Sequence, residues 1–318
     1  MSNQSNQKVL CITLNPAIDV TLSLDELHLG AVNRVIATQT HPAGKGINVA
    51  SILSQLGHNV VVTGFLGNGN RQIFDDKFNQ LKFDNQFIYI NGDTRQNIKL
   101  AENSGQMTDV NGKGFLVEKS AKDALFDRIK NLAKTCEFVV LSGSLPQGFG
   151  LTDFDELIQL ILAINPKLVV DTSGDALKVA VKNSPFMIKP NLDELHDAFG
   201  IDAGSLKAEV ALFDRLHSDI KHIVVSKGED GVNWLQKSKH KILTANSPTV
   251  TVKSTVGAGD TMVAGMVHGF LQGDDDKNTL KNAVAMASYA VTIIGFDVAE
   301  KGERERLGSQ TTVNEIQF

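Results

Sequence analysis

The chain has 318 residues, 42% of them hydrophobic and 21% charged, with a formal net charge of −5. Such values exclude general disorder, and the length suits one large α/β domain with an appendage. The negative balance leaves no cationic surplus for a nucleic-acid backbone, although a few placed cations still suffice for one small anion.

The first eight residues are polar, so no secretory leader is expected. No apolar run approaches the roughly 20 residues that span a bilayer, and the expectation is a cytoplasmic protein without membrane contact. Residues 9–14 are apolar and 19–24 alternate, as strands do; 32–40 is a third strand candidate. Cys11 and Cys136 each sit in or ahead of apolar runs and read as buried, reduced thiols. No zinc spacing exists among the cysteines and histidines. A helix is expected over 47–56 with Gly57 beyond its end, then a strand at 60–65 and a helix over 71–82. From 87 to 117 the pattern changes to short, half-polar strands (87–90, 94–101, 114–117) separated by Asn91-Gly92-Asp93 and Asn111-Gly112-Lys113-Gly114. Thereafter helices (121–134, 153–164, 175–182, 192–199, 206–217) alternate with apolar strands (138–142, 168–171, 186–189, 223–226). That rhythm implies a doubly wound, mostly parallel sheet flanked by helices, with the half-polar strands forming a small sheet attached as a lid.

The strongest chemical signal is Val252-Lys253-Ser254-Thr255-Val256-Gly257-Ala258-Gly259-Asp260-Thr261. It follows an alternating strand expected at 249–252. It precedes a helix carrying apolar Met262, Val263, Met266, Val267, Phe270 and Leu271. Glycines let backbone approach an anion, and the free amides and dipole of a helix start stabilise negative charge. Transfer of a phosphoryl group needs that stabilisation. Asp260, beside the anion site, is placed to take a proton from an attacking hydroxyl; taken alone, an aspartate there is more often a helix cap. No Gly-Lys-Ser/Thr follows, and Met262 stands at the third glycine of a dinucleotide fingerprint, so neither common nucleotide loop is present.

Five further segments carry weaker signals. Gly44-Lys45-Gly46 opens a helix and suits a polyol or a phosphate, or is a plain turn. Alternation puts Arg95, Asn97 and Lys99 on one strand face, where two cations flanking an amide clamp a phosphate, or where a sheet simply meets water. Leu141-Ser142-Gly143-Ser144-Leu145-Pro146 ends an apolar strand, where open α/β sheets bind ligands and Ser144 can donate to a phosphate, or is turn chemistry alone. Asn191 and Glu194 are spaced as a capping box and equally as ligands organising hydrated Mg²⁺ near nucleotide phosphates. Ser226-Lys227-Gly228-Glu229-Asp230-Gly231 ends a strand as a hairpin turn, or as a backbone cradle for nucleotide phosphates.

In this order and spacing the six segments resemble the PfkB-type carbohydrate kinases of the ribokinase superfamily. Gly257-Ala258-Gly259-Asp260 looks like the C-terminal signature, and Gly44-Lys45-Gly46-Ile47-Asn48-Val49-Ala50 like the N-terminal one. Asn15-Pro16-Ala17-Ile18-Asp19, Thr94-Arg95-Gln96-Asn97, Asp171-Thr172-Ser173-Gly174 and Lys189-Pro190-Asn191 are most similar to the branch that holds 1-phosphofructokinase and tagatose-6-phosphate kinase. The likeness runs from about residue 8 to residue 300; Ala43, Gln147 and the tail after Gly295 depart from it.

The resemblance implies a single ribokinase-like domain over 1–318, with lid strands from 9–40 and 87–117. It implies transfer of phosphate from ATP, with Mg²⁺, to fructose 1-phosphate, giving fructose 1,6-bisphosphate. Tagatose 6-phosphate and fructose 6-phosphate are the alternative acceptors, and a non-catalytic sugar-phosphate sensor is the remote alternative. Asp260 would be the base, with the amides of Gly257, Ala258 and Gly259 as the anion hole. Asp19, Gly44 and Asn48 would hold sugar hydroxyls. Arg95 and Ser144, with Lys45 and Lys99, would hold the phosphate already on the sugar. Asn191 and Glu194 would serve Mg²⁺ through water. Ser226, Lys227, Gly228, Gly231 and Thr255 would hold ATP, with Asn282 near the adenine. The lid would close over the sugar and form a homodimer contact.

Overall fold

The structure, a computed structural model, describes residues 7–203, 205–216 and 219–317. The chain opens with β1 (Lys8–Thr13), leaves the body for β2 (Ala17–Leu24) and β3 (Ala37–Ala43), and returns through α1 (Lys45–Gln55) to β4 (Asn59–Gly67). Next come α2 (Gln72–Gln80), β5 (Asp84–Asn85) and β6 (Ile88–Ile90), then a second excursion, β7 (Gln96–Glu102) and β8 (Met107–Asn111). The alternating part follows: α3 (Lys119–Leu132), β9 (Phe138–Ser142), α4 (Leu151–Ile164), β10 (Leu168–Asp171), α5 (Gly174–Lys182), β11 (Met187–Ile188), α6 (Leu192–Phe199), α7 (Leu206–Leu216) and β12 (His222–Ser226). The chain continues with β13 (Val232–Gln236), β14 (Lys241–Ala245), α8 (Ala258–Gln272), α9 (Asp276–Ala290), α10 (Lys301–Ser309) and β15 (Val313–Gln317).

The main sheet runs in the order β15-β14-β13-β12-β11-β10-β9-β1-β4-β5, with β6 also paired to β4. Pairs from β12 through β6 are parallel; β13, β14 and β15 add an antiparallel edge. Parallel strands are covered on both faces and read as apolar runs, which is why β9 and β10 stand out in the sequence and are buried throughout. One core packs Leu125, Phe154, Leu177 and Leu195 of α3 to α6 against the sheet. The other packs Ile47, Phe74, Val263 and Val284 of α1, α2, α8 and α9 against the opposite face. Cys11 and Cys136 are buried and free, and burial pushes both thiols up. Among the described residues no helix is long and apolar enough to cross a membrane.

A separate four-stranded sheet, β3-β2-β7-β8, forms the lid. Its composition differs from the expected stretches in three ways. First, β1 and β6, though within 9–40 and 87–117, pair with β4 in the main sheet. Second, residues 114–117 form no strand, because Val117 N donates instead to the Gln147 carbonyl at 2.8 Å. Third, β8 occupies 107–111, a stretch where no strand is expected and which ends on the first residue of the expected turn at 111–114. Residues 32–36 are loop, closed by Asn33, whose side chain bonds both the amide and the carbonyl of His28. The strand expected at 249–252 has no ladder partner; Pro248 leads into it, and the amides of Lys253 and Ser254 turn to the Val291 carbonyl at 2.7 and 3.2 Å. His217, the expected end of α7, and residues 1–6, which carry the leader expectation, lie outside the described residues.

Candidate active site

The parallel strands β9, β10, β11 and β12 end on one side, and residues at or just past those ends (Ser144, Thr172, Asn191, Ser226) line a single cleft of ≈ 930 Å³. This is where an open α/β sheet presents its ligand site. The lid contributes Asp19 and Asn97 to the same cleft, and the start of α8 forms its floor.

α8 begins at Gly257, whose φ of 87° is left-handed. The Phe296 ring lies so close that a β-carbon on Gly257 would come within 2.5 Å of it, so only glycine fits. No side chain caps α8, which removes the helix-cap reading of Asp260. Its carboxylate is 6% exposed and accepts a hydrogen bond from Asn48 Nδ2 at 2.7 Å. Asn48 Oδ1 is buried without a partner, leaving an acceptor for a ligand hydroxyl. Burial, reinforced by Asp171, pushes the Asp260 carboxyl up to about 6 against the opposing Lys45, Asn48 and Lys189. A carboxylate of that basicity is ionised at neutral pH and well matched to accepting a proton.

Beside it Asp171 and Lys189, to which the sequence assigns no role, form a buried charge cluster with Lys45. Asp171 is fully buried; it accepts from Lys45 Nζ at 3.1 Å, and Lys189 Nζ lies 3.4 Å from its other oxygen. Burial alone would push Asp171 up, but Lys189 and Lys45 outweigh it and hold the carboxyl below the usual range. The Lys189 ammonium also rests against Gly259, where a β-carbon would meet it at 3.2 Å, and so brings a cation to the amides of the α8 turn. The sequence signal for both residues is a charge closing an apolar strand: Leu168-Val169-Val170-Asp171 and Met187-Ile188-Lys189. Lys45, expected at the sugar phosphate, is thus engaged with Asp171, while still lining the cleft.

Asn191 and Glu194 form the capping box of α6 in full. Glu194 Oε2 accepts the Asn191 amide at 2.9 Å, and Asn191 Oδ1 accepts the Glu194 amide at 2.7 Å. Both residues also line the cleft. The box engages only Oε2 of Glu194, so its second oxygen, Oε1, stays outside the box as a hard donor of the kind Mg²⁺ takes through water.

At the lid end, Arg95 is fixed by three carbonyls: Pro16, Gly112 and Asn15, at 3.3, 3.2 and 3.2 Å. A guanidinium has five N–H groups, so it is oriented with donors left over for an anion. Asn15 Nδ2 donates to Ser144 Oγ at 3.2 Å, joining that hydroxyl to the Arg95 corner. Asp19 accepts from Asn97 Nδ2 at 3.0 Å and from Lys99 Nζ at 3.3 Å. Lys99, expected at the sugar phosphate, is therefore neutralised by Asp19 and does not line the cleft.

At the other end, Ser226, Gly228, Gly231 and Thr255 line the cleft together with Val284, Ala287, Ser288 and Val291. Asn282 does not: it is exposed on the α9 face turned away from Val284 and Ala287. Two residues along a helix point to nearly opposite sides, so the apolar face of α9, not Asn282, meets the cleft. Lys227 also leaves the lining, its side chain turning to Glu209.

The pattern of the family described as "pfkB family carbohydrate kinase" matches residues 6–299. A 1-phosphofructokinase of Vibrio cholerae is 39% identical over 98% of this chain and 98% of its own. A tagatose-6-phosphate kinase of Staphylococcus epidermidis is 33% identical over 87% of this chain and 90% of its own. Among solved structures, one described as a possible 1-phosphofructokinase from Thermotoga maritima superposes with a TM-score of 0.86 at 26% identity, covering 98% of this chain and 100% of that one. The architecture is the ribokinase-like one that the motifs imply.

Proposed function

Because the chain belongs to the pfkB family of carbohydrate kinases, we propose that it transfers the γ-phosphoryl group of ATP to D-fructose 1-phosphate, giving fructose 1,6-bisphosphate and ADP. The observation that carries this reading is the buried Asp260 carboxylate, held by Asn48 at an uncapped helix start in a cleft with a cationic corner. The sugar lies toward the lid, its hydroxyls on Asp19, Asn97 and Asn48 and its phosphate against Arg95, Ser144 and Asn15. Its 6-hydroxyl gives its proton to Asp260, and the oxygen bonds to the γ-phosphorus as the bridging bond to ADP breaks. Lys189 and the amides of Gly257 to Asp260 hold the charge spread over the transferring group. Mg²⁺, held through water by Glu194 and Asn191, would neutralise phosphate charge when bound. The turn at 226–231 and the apolar face of α9 take the nucleotide. The chain acts as one catalytic unit, in the cytoplasm where ATP and phosphosugars occur.

The tagatose-6-phosphate kinase relative keeps tagatose 6-phosphate as a second reading. An ADP-release assay over fructose 1-phosphate, tagatose 6-phosphate and fructose 6-phosphate decides between them. Fructose 1-phosphate is expected to give the highest kcat/KM. Arg95→Met is expected to raise its KM about 10- to 100-fold, the worth of charge-assisted hydrogen bonds, with the KM for ATP unchanged. Higher kcat/KM with tagatose 6-phosphate would overturn the acceptor assignment, and no turnover with any phosphosugar would overturn the kinase reading.

The lid also serves as a homodimer contact. Leu29, Val32 and Ile36 stand 91%, 85% and 60% exposed on the loop between β2 and β3, and exposed apolar groups that gather on one surface mark a contact site. Light scattering is expected to give twice the chain mass for the wild type and one chain mass for Val32→Glu; a wild-type monomer would refute the contact.

A further inference from the structure

In the turn at the nucleotide end of the cleft, Lys227 turns its side chain away from the cleft. Ser226, Gly228, Glu229 and Gly231 line the cleft, whereas the Lys227 ammonium lies 3.8 Å from Glu209 Oε1. Glu209 stands in the first turn of α7 and is fully buried. Its other oxygen accepts Asn233 Nδ2 at 2.6 Å, and Asn233 is itself 2% exposed. The register pairs Val225 with Asn233 and Ser226 with Val232, so Lys227 and Asn233 stand on the two arms of the hairpin that carries the turn. One carboxylate of α7 therefore hydrogen-bonds one arm, through Asn233, and forms an ion pair with the other, through Lys227. Within the turn, Lys227 N donates to the Gly231 carbonyl at 2.9 Å, and Ser247 Oγ donates to the Gly228 carbonyl at 3.1 Å.

A hairpin needs no buried carboxylate to close. An apolar side chain would pack α7 on the sheet at lower cost, since an ionised group removed from water is tolerated only when paired. The placement is explained if the carboxylate sets the position of what it grips. We propose that Glu209 is a positioning residue for the nucleotide: through Lys227 and Asn233 it holds the 226–231 turn in the shape that receives ATP phosphates. The inference rests on the kinase reading and removes Lys227 from direct phosphate contact.

Calorimetric titration with ADP, and separately with fructose 1-phosphate, tests it on the wild type, Glu209→Gln, Lys227→Met and the double variant. Each single variant is expected to weaken ADP about 10-fold, since each breaks the ion pair of a buried carboxylate, and to leave fructose 1-phosphate binding unchanged. The double variant is expected to bind ADP no more weakly than the weaker single, because both break one linkage. Lys227→Arg, which keeps the pair, is expected to bind as the wild type does. Additive losses in the double variant would overturn the proposal by making Lys227 an independent ligand. Unchanged ADP affinity in Lys227→Met would overturn it too, and that variant removes no buried group if Glu209→Gln fails to fold. A wild-type protein that binds no ADP would refute the kinase reading itself.

Discussion

Asp260→Asn is expected to lower kcat about 10³-fold while leaving the affinities for ADP and fructose 1-phosphate nearly intact, since a positioned base contributes 10²- to 10⁴-fold. The amide keeps the shape and the contact with Asn48 and loses only the basic oxygen. The charge is disfavoured in the folded chain, as the upward push on this carboxyl shows, so its removal is not expected to lower Tm at pH 7.5. The wild-type rate is expected to follow the ionised fraction of this carboxyl, with kcat/KM rising with pH through about 6 and flattening above it. That acid limb disappears in the variant. Turnover by Asp260→Asn within tenfold of the wild type would sink the assignment, as would an acid limb that survives the substitution.

Asp171→Ala is expected to destabilise the fold by ~3–5 kcal/mol and to remove most activity, because deleting one member of a buried ion pair strands its partners. Two ammoniums depend on this carboxylate, but unequally. The Lys45 side chain is 39% exposed and can reach water, whereas Lys189 is 4% exposed and cannot. The loss thus falls mainly on Lys189, and with it on the cation that rests against Gly259. Urea unfolding at pH 7.5 measures the stability, and the ADP-release assay measures the rate. A loss below about 1 kcal/mol, the worth of an exposed pair, would mean that water reaches the cluster.

The body of the fold is legible wherever burial on both faces forces an uninterrupted apolar run. β9, β10 and α6 begin and end where the sequence places them, because Gly143, Thr172 and the Asn191–Glu194 box interrupt the pattern sharply. The lid is legible as a kind and not in its membership. β6 and β7 have similar half-polar sequences, and nothing local says that Ile88 pairs with Phe65 while Ile98 pairs with Val20. β8 was hidden because Met107 and Val110 are exposed, leaving no apolar face to read. At the site, the glycine turn of α8 carries a local signature and Asp260 follows from it. The grip of Asp171 on Lys45 and Lys189, the pairing of Lys99 with Asp19, and the retreat of Lys227 to Glu209 join residues 18 to 126 positions apart. Spacing along one strand reports a shared face but not which charge the neighbouring strand supplies.

The lid is drawn from two separate stretches, β2–β3 and β7–β8, that leave the body and rejoin it at the cleft. Asp19 and Asn97 ride on these stretches, while Asp260, Lys189, Asp171 and the 226–231 turn belong to the body. On the proposed reading, some of the sugar's hydroxyl contacts come from the lid, whereas Ser144, Asn48 and the transfer chemistry come from the body. The two lid cassettes are not independent of each other, because β2 and β7 are adjacent strands and Asp19 is in register with Asn97. A substitution at Asp19 or Asn97 thus bears on both stretches at once, so the two lid strands are expected to vary together.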